Sequence, residues 1–363
     1  MSATATEQPT AVLEPWFFDG NIVVQAGNRR FKVYKGILAA HSVVFRDMLA
    51  LASAAPEIQA IDSDDLVDGC PLVALQDDEE DLANFLKAIF LPGFLPQYPN
   101  EASLQVILSC LRLSHKYQVD YLQLEALKHL SSGYPTTLAE LDSRRIESGT
   151  VVGGPTWSWI KNLTGLVIRD HVEIINCAFT VDARWILPFA LLDLSDRIAL
   201  ETAINMTDGL VPGFDAMRDL PESLYAALLG FVASGRHASA ARIYSSLAAG
   251  IPDCYVRARE DNLHDWAEEN SAGSDPAGCA HDQLAMVRGL IESLSGIVHP
   301  LRVAQLHGHS SGAALDGMCS ACRTELTARY RARRREEWAK YLAVFGLGTW
   351  EELEALKKRA FTS

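Results

Sequence analysis

The stretch covering residues 21–51 constrains the fold more than any other part of the chain. Two short β-rich runs, NIVVQA at 21–26 and RRFKVY at 29–34, flank Gly27-Asn28. A two-residue Gly/Asn connection between such runs is the local signal of a tight hairpin. The apolar period then changes within a few residues. In KGILAAHSVVFRDMLALAS, Val44, Phe45, Met48, Leu49 and Leu51 fall on one helical stripe, and Ser42 stands where a side-chain oxygen caps the first free amides. A hairpin feeding straight into an amphipathic helix predicts an α+β unit in which helices cover a small sheet.

The pattern continues in the same sense. GCPLVAL at 69–75 reads as a short buried strand, and DDEEDLANFLKAIF at 77–90 as a helix with Asp77 and Glu80 as a capping pair. The acidic cluster from Asp77 to Asp81 complements exposed amides and the dipole of a first helical turn, which explains it without a metal. Three prolines in LPGFLPQYPN end that helix. Beyond them, Leu104, Ile107, Leu108 and Leu111 share one face of a further helix, and YLQLEALKHL forms the next until Ser131-Ser132-Gly133 stops it. From about 134 to 251 the period is helical, including TWSWIKNLTGLVIRDHVEIINCAFTVDARWILPFALLDLS. Residues 252–282 and 299–318 read as irregular connections. Residues 324–358 return to charged amphipathic helix, with Thr349 and Glu352 as a second capping box.

Length and charge narrow the function classes. At 363 residues the chain has room for two or three domains, and 48% hydrophobic against 21% charged residues matches a folded protein. A net charge of −14 works against a surface that tracks nucleic-acid phosphates. The first fourteen residues lack the basic flank and apolar run of a signal peptide, and no window of 18 residues is uninterruptedly apolar, so the expected location is cytosol or nucleus, away from a membrane. Seven cysteines, an odd count, fit reduced thiols better than a disulfide framework.

Three ordered segments resemble the BTB/POZ family. FDGNIVVQAGNRRFKVYKGILAAHSVVFRDMLAL is similar to its opening hairpin and first helix pair, through Phe31, Val33, Lys35, Ile37, Leu38, Ala39, Ser42, Phe45 and Arg46. GCPLVALQDDEEDLANFLKAIF is similar to its third strand and next helix, and LRLSHKYQVDYLQLEAL to its later helix pair. PTTLAELDS and the FGLGTWEEL ending resemble BTB proteins of mushroom-forming fungi. Composition and period give a tail at 1–14, a helical region at 133–298, and an irregular Cys/His segment with amphipathic helices at 299–363, and the resemblance implies a BTB/POZ domain at 15–132. It also implies protein partners and self-association, with Asn21, Lys35, Ser42, Phe45 and Arg46 as candidate interaction residues. Tyr34 stands where most members have His, and Asn21 where many animal members have an interface Asp. The element that engages a cullin has its nearest counterpart in Ala55-Pro56-Glu57, with only a methyl as anchor.

One cluster carries candidate chemistry. Cys319 and Cys322 have the C-x-x-C spacing that brings two thiolates to one tetrahedral zinc, with His307 and His309, or Cys279 and His281, as candidates to complete it. Two ordinary reduced cysteines are the alternative. RYRARRREEWAK, at 329–340, concentrates arginines but interleaves Tyr330 and Trp338 and is diluted by Glu336 and Glu337, the pattern of a solvated face with internal ion pairs. His41, His115, His129 and His171 are scattered singly and read as structural. No H-E-x-x-H pair, phosphate-binding loop or dinucleotide fingerprint occurs. The chain therefore reads as a non-enzymatic scaffold or adaptor without a cofactor. The rival is a transcription-linked or cullin-type ubiquitin-ligase adaptor with a zinc-stabilised C-terminal segment.

Overall fold

The computed structural model describes residues 11–54, 66–142, 145–147, 150–152, 159–161, 163, 165–204, 212–248 and 320–362. The hairpin forms as its sequence predicts. Strands β2 (Ile22–Ala26) and β3 (Arg29–Val33) pair antiparallel, with Ile22 opposite Val33 and Ala26 opposite Arg29. Gly27 makes the turn at φ 50°, a left-handed conformation that favours glycine. Strand β1 (Ala11–Trp16) lies parallel to β3 on its far side. The sheet thus begins inside the stretch read as a tail at 1–14; residues 1–10 lie outside the described residues.

Helices α1 (Lys35–His41) and α2 (Val43–Ala54) follow, then β4 (Leu66–Val67) and β5 (Cys70–Leu75). The order across the sheet is β1-β3-β2-β5-β4, and β5 runs parallel to β2. Central β2 is buried on both faces, which is why Ile22, Val23 and Val24 form a continuous apolar run rather than an alternating one. Helix α3 (Glu79–Phe90) is capped one residue later than its sequence predicts. Asp78 accepts from the amides of Glu80 and Asp81, while Asp77 turns away to bond Lys116 and the Tyr117 hydroxyl.

A short strand β6 (Ala102–Ser103) precedes α4 (Leu104–Tyr117) and α5 (Asp120–Ser132). Beyond α5 come α6 (Leu138–Asp142), a hairpin of β7 (Arg145–Glu147) and β8 (Thr150–Val152), and β9 (Ile160–Lys161). The helical period expected across TWSWIKNLTGL is overridden here. The Ala102 amide donates to the Trp159 carbonyl at 3.0 Å, and β9 pairs parallel with β6. Gly133 lets this strand approach the end of α5, since a Cβ there would sit 2.9 Å from Ile160 Cδ1.

The rest is helical: α7 (Ile168–Thr180), a 3-10 turn (Arg184–Ile186), α8 (Leu187–Ile204), a second 3-10 turn (Phe214–Asp219), α9 (Glu222–Gly230), a π-turn (Phe231–Gly235), α10 (Arg236–Ala248), α11 (Ser320–Val344) and α12 (Trp350–Thr362). One apolar core runs from Ile22 in the sheet to Leu353 in α12. Packing therefore continues across residue 132. There, Trp185 Nε1 donates to Ser131 Oγ at 3.0 Å and the Trp159 amide donates to Ser132 Oγ at 3.0 Å.

Candidate protein-interaction surface

The five candidate interaction residues divide by depth. Ser42 is 1% exposed and Phe45 is fully buried. The Ser42 hydroxyl accepts from the Phe45 amide at 3.0 Å, the capping bond expected of it, and donates to the Tyr117 carbonyl at 2.5 Å. One small side chain thus starts α2 and pins the end of α4. Phe45 stacks on the Tyr117 ring at 4.5 Å, and Tyr117 in turn donates its hydroxyl to Asp77. Both side chains belong to the interior, which corrects their assignment to a contact surface: the same features that start a helix also bury it.

Asn21, Lys35 and Arg46 do reach the surface. Asn21 and Lys35 are brought together, because Asn21 Oδ1 accepts from the Lys35 amide at 2.8 Å and serves one of the free donors at the start of α1. A neutral amide suffices for that bond. Tyr34 points its hydroxyl at Asp19. Arg46 lies on the outer face of α2 beside Asp47, with Nε to carboxylate at 3.7 Å and both side chains more than half exposed.

What the stripe argument missed is the exposed apolar side chains on this helix pair. Leu51, expected in the buried row, is 73% exposed, and Val43 and Ile37 on the same helix pair are also exposed. Phe45, Met48 and Leu49 hold the inward arc; Leu51 stands at its edge and faces outward. Only the two-sided exposure of α1 and α2 reveals this, and the sequence alternation carries no sign of it.

Charge is buried elsewhere. Asp81, in the sequence reading one of the first-turn acids that complement the helix dipole, takes a bidentate contact from Arg112 at 2.7 and 2.8 Å and a bond from Ser109 Oγ at 2.7 Å, and Asn84 donates onward to Ser109. In α11, Glu337 is 2% exposed rather than solvated. It accepts from Arg242 at 2.7 and 2.8 Å and from Ser239 at 3.0 Å. Burial alone would raise its carboxyl, but these hydrogen bonds and the charges of Arg242 and Arg333 hold it below the ordinary value. Arg329–Glu325 and Arg333–Glu336 are ion pairs within the helix, as expected for its outer face.

Burial pushes the Cys110 and Cys177 thiols up to about 12, so neither supplies a thiolate near neutrality. Of the candidate zinc ligands, Cys322 sits buried in the apolar core on the first turn of α11. Cys319, His307, His309, Cys279 and His281 lie outside the described residues, as does Ala55-Pro56-Glu57. Among the described residues no group of three or more His, Cys, Asp or Glu could hold a metal. GHSSG at 308–312 has the spacing of a nucleophile elbow, which requires a strand before the serine and a helix after it; it too lies outside the described residues. No described helix is long and apolar enough to cross a membrane.

Residues 13–67 match the family model described as BTB/POZ domain. The chain carries that domain there, at the hairpin and the helix pair whose surface is set out above. No curated protein and no solved structure matches the chain.

Proposed function

We propose that this chain is a non-enzymatic adaptor that works by holding other proteins, and that the outer face of α1 and α2 joins two copies of it. The observation that carries the reading is the exposure of Ile37, Val43 and Leu51 on the helix pair within the BTB/POZ match. Beneath them, the Ser42 bond and the Phe45–Tyr117 stack hold the helices rigid, so little ordering entropy is lost on contact. Lys35, Arg46 and Asp47 are exposed on the same helix pair, Asp47 one turn from both Val43 and Leu51, and supply polar contacts beside the apolar ones. Arg46 and Asp47 are adjacent and opposite in charge, so a two-fold axis through this face sets each against its complement. PTTLAELDS and FGLGTWEEL support placing the chain with BTB proteins of mushroom-forming fungi.

Light scattering on the full chain tests this. The chain should sediment and scatter as a dimer at tens of micromolar, and the pair Val43→Asp/Leu51→Asp should return it to a monomer without changing its circular dichroism. A wild-type chain that stays monomeric at that concentration defeats the self-association. Ester hydrolysis abolished by Ser310→Ala would defeat the non-enzymatic part.

A further inference from the structure

Helix α12 carries its own start and stop signals. The Thr349 amide donates to Glu352 Oε2 at 2.9 Å, and the Glu352 amide donates to Thr349 Oγ1 at 3.2 Å, a complete capping box. Glu351 and Glu352 stand in the first turn and Arg359 in the last, the order the helix dipole favours. Its connection to α11 runs through Gly346 and Gly348, at φ 64° and 81°, a pair of left-handed positions suited to a hinge. These local signals fix where the helix begins and ends, and Trp350 at its start donates to the Trp338 carbonyl of α11 at 2.9 Å.

Its grip on the rest of the molecule is one-sided. Leu353 is buried, and Leu356, Ala360 and Phe361 pack partly buried along the same face, whereas Glu351, Glu352, Ala355, Lys358 and Arg359 are exposed. The surface beneath is formed by α5, the segment around Thr136 and Glu140, and Trp185, whose ring meets Phe361 edge-on at 6.1 Å. A polar latch accompanies the apolar row. Thr136 donates to Glu354, while Lys357 reaches Thr136 Oγ1 at 3.4 Å and Glu140 at 4.0 Å. An amphipathic helix laid by one apolar face into a groove is the arrangement by which many proteins bind a helical peptide.

We propose that α12 is a releasable strap, and that the groove it leaves takes α12 from a second copy, so that the chain can pair by exchanging this helix. The geometry commits the groove to that occupant, because its apolar row and its Thr136–Glu140 latch already match α12 residue by residue. Exchange is also distinct from contact through α1 and α2, since it uses a different face.

The test uses the full chain with a protease site inserted between Leu347 and Gly348. After cleavage, excess labelled peptide 349–363 should displace α12. Displacement is read on gel filtration, where the labelled peptide should enter the protein peak as the cleaved α12 segment leaves it. A Phe361→Asp peptide should bind about tenfold or more weakly, as loss of its aromatic contact with Trp185 predicts. If the cut protein holds α12 against excess peptide, or if cleavage abolishes the circular dichroism of the whole chain, α12 is core and the strap falls. Two differently tagged Val43→Asp/Leu51→Asp chains, in which pairing through α1 and α2 is removed, should copurify after mixing and warming, and free peptide should suppress this. No copurification, or copurification indifferent to the peptide, overturns the exchange.

Discussion

The shell around α2 and the seam between α10 and α11 solve the same problem with opposite materials. Around α2, Phe45, Tyr117 and a capping hydroxyl pack an apolar interior, and the bond that ties α2 to the end of α4, Ser42 to the Tyr117 carbonyl, is neutral. At the seam a carboxylate is taken out of water altogether: Glu337 is held by Arg242 and Ser239 from a helix 95 and 98 residues earlier in the chain. The first arrangement gains from every buried methylene. The second gains little net energy, since desolvation offsets the attraction, but it punishes any other pairing of the two helices. Apolar packing thus supplies stability near α2, and a buried charge supplies register at the seam.

The largest effect should come from emptying the apolar shell. Phe45→Ala is expected to cost about 3–5 kcal/mol in chemical denaturation, through lost burial and the cavity left against Tyr117. Because one core joins both regions, tryptophan fluorescence should lose its native value in the same transition as the far-ultraviolet signal. Two separate transitions would break the comparison by showing that the regions are independent. Asp81→Ala should cost roughly 2–3 kcal/mol, less than a fully buried pair because Arg112 keeps some access to water. Glu337→Gln should cost roughly 1–3 kcal/mol at neutral pH. Its signature is the pH dependence. A carboxyl held below its ordinary value adds stability that is fully present above the unfolded value and is lost as pH falls through the folded one. The gap between wild type and Glu337→Gln should therefore close on acidification, and a gap independent of pH would mean the charge sets nothing. Ser42→Ala, which removes only a cap and one neutral bond, should cost about 1 kcal/mol.

Much of the N-terminal unit was legible because its signals are short-range. Gly27-Asn28 and the change of period after Tyr34 located the hairpin and helix, and Thr349 with Glu352 marked the start of α12. Where a longer-range contact competed, the local signal lost. Asp77 gave up the cap to Asp78 because Lys116 and Tyr117 claimed it. Residues 160–161 became a strand because the backbone of Ala102 was there to pair. The interaction surface was the least legible part. The motif residues Ser42 and Phe45 proved internal, and the exposed Leu51 had looked internal.

Sequence by itself determined the central hairpin, the helices that follow it, and the capped start of α12. Periodicity, caps and turn residues act within about four positions and are written locally. Tertiary structure alone decided which acid is buried, which leucine is exposed, and that α12 returns to Thr136, 218 residues before Glu354. Partners that distant leave no mark on the spacing of either segment. They are selected only when the apolar faces assemble and the desolvation cost of each remaining charge depends on what lies opposite.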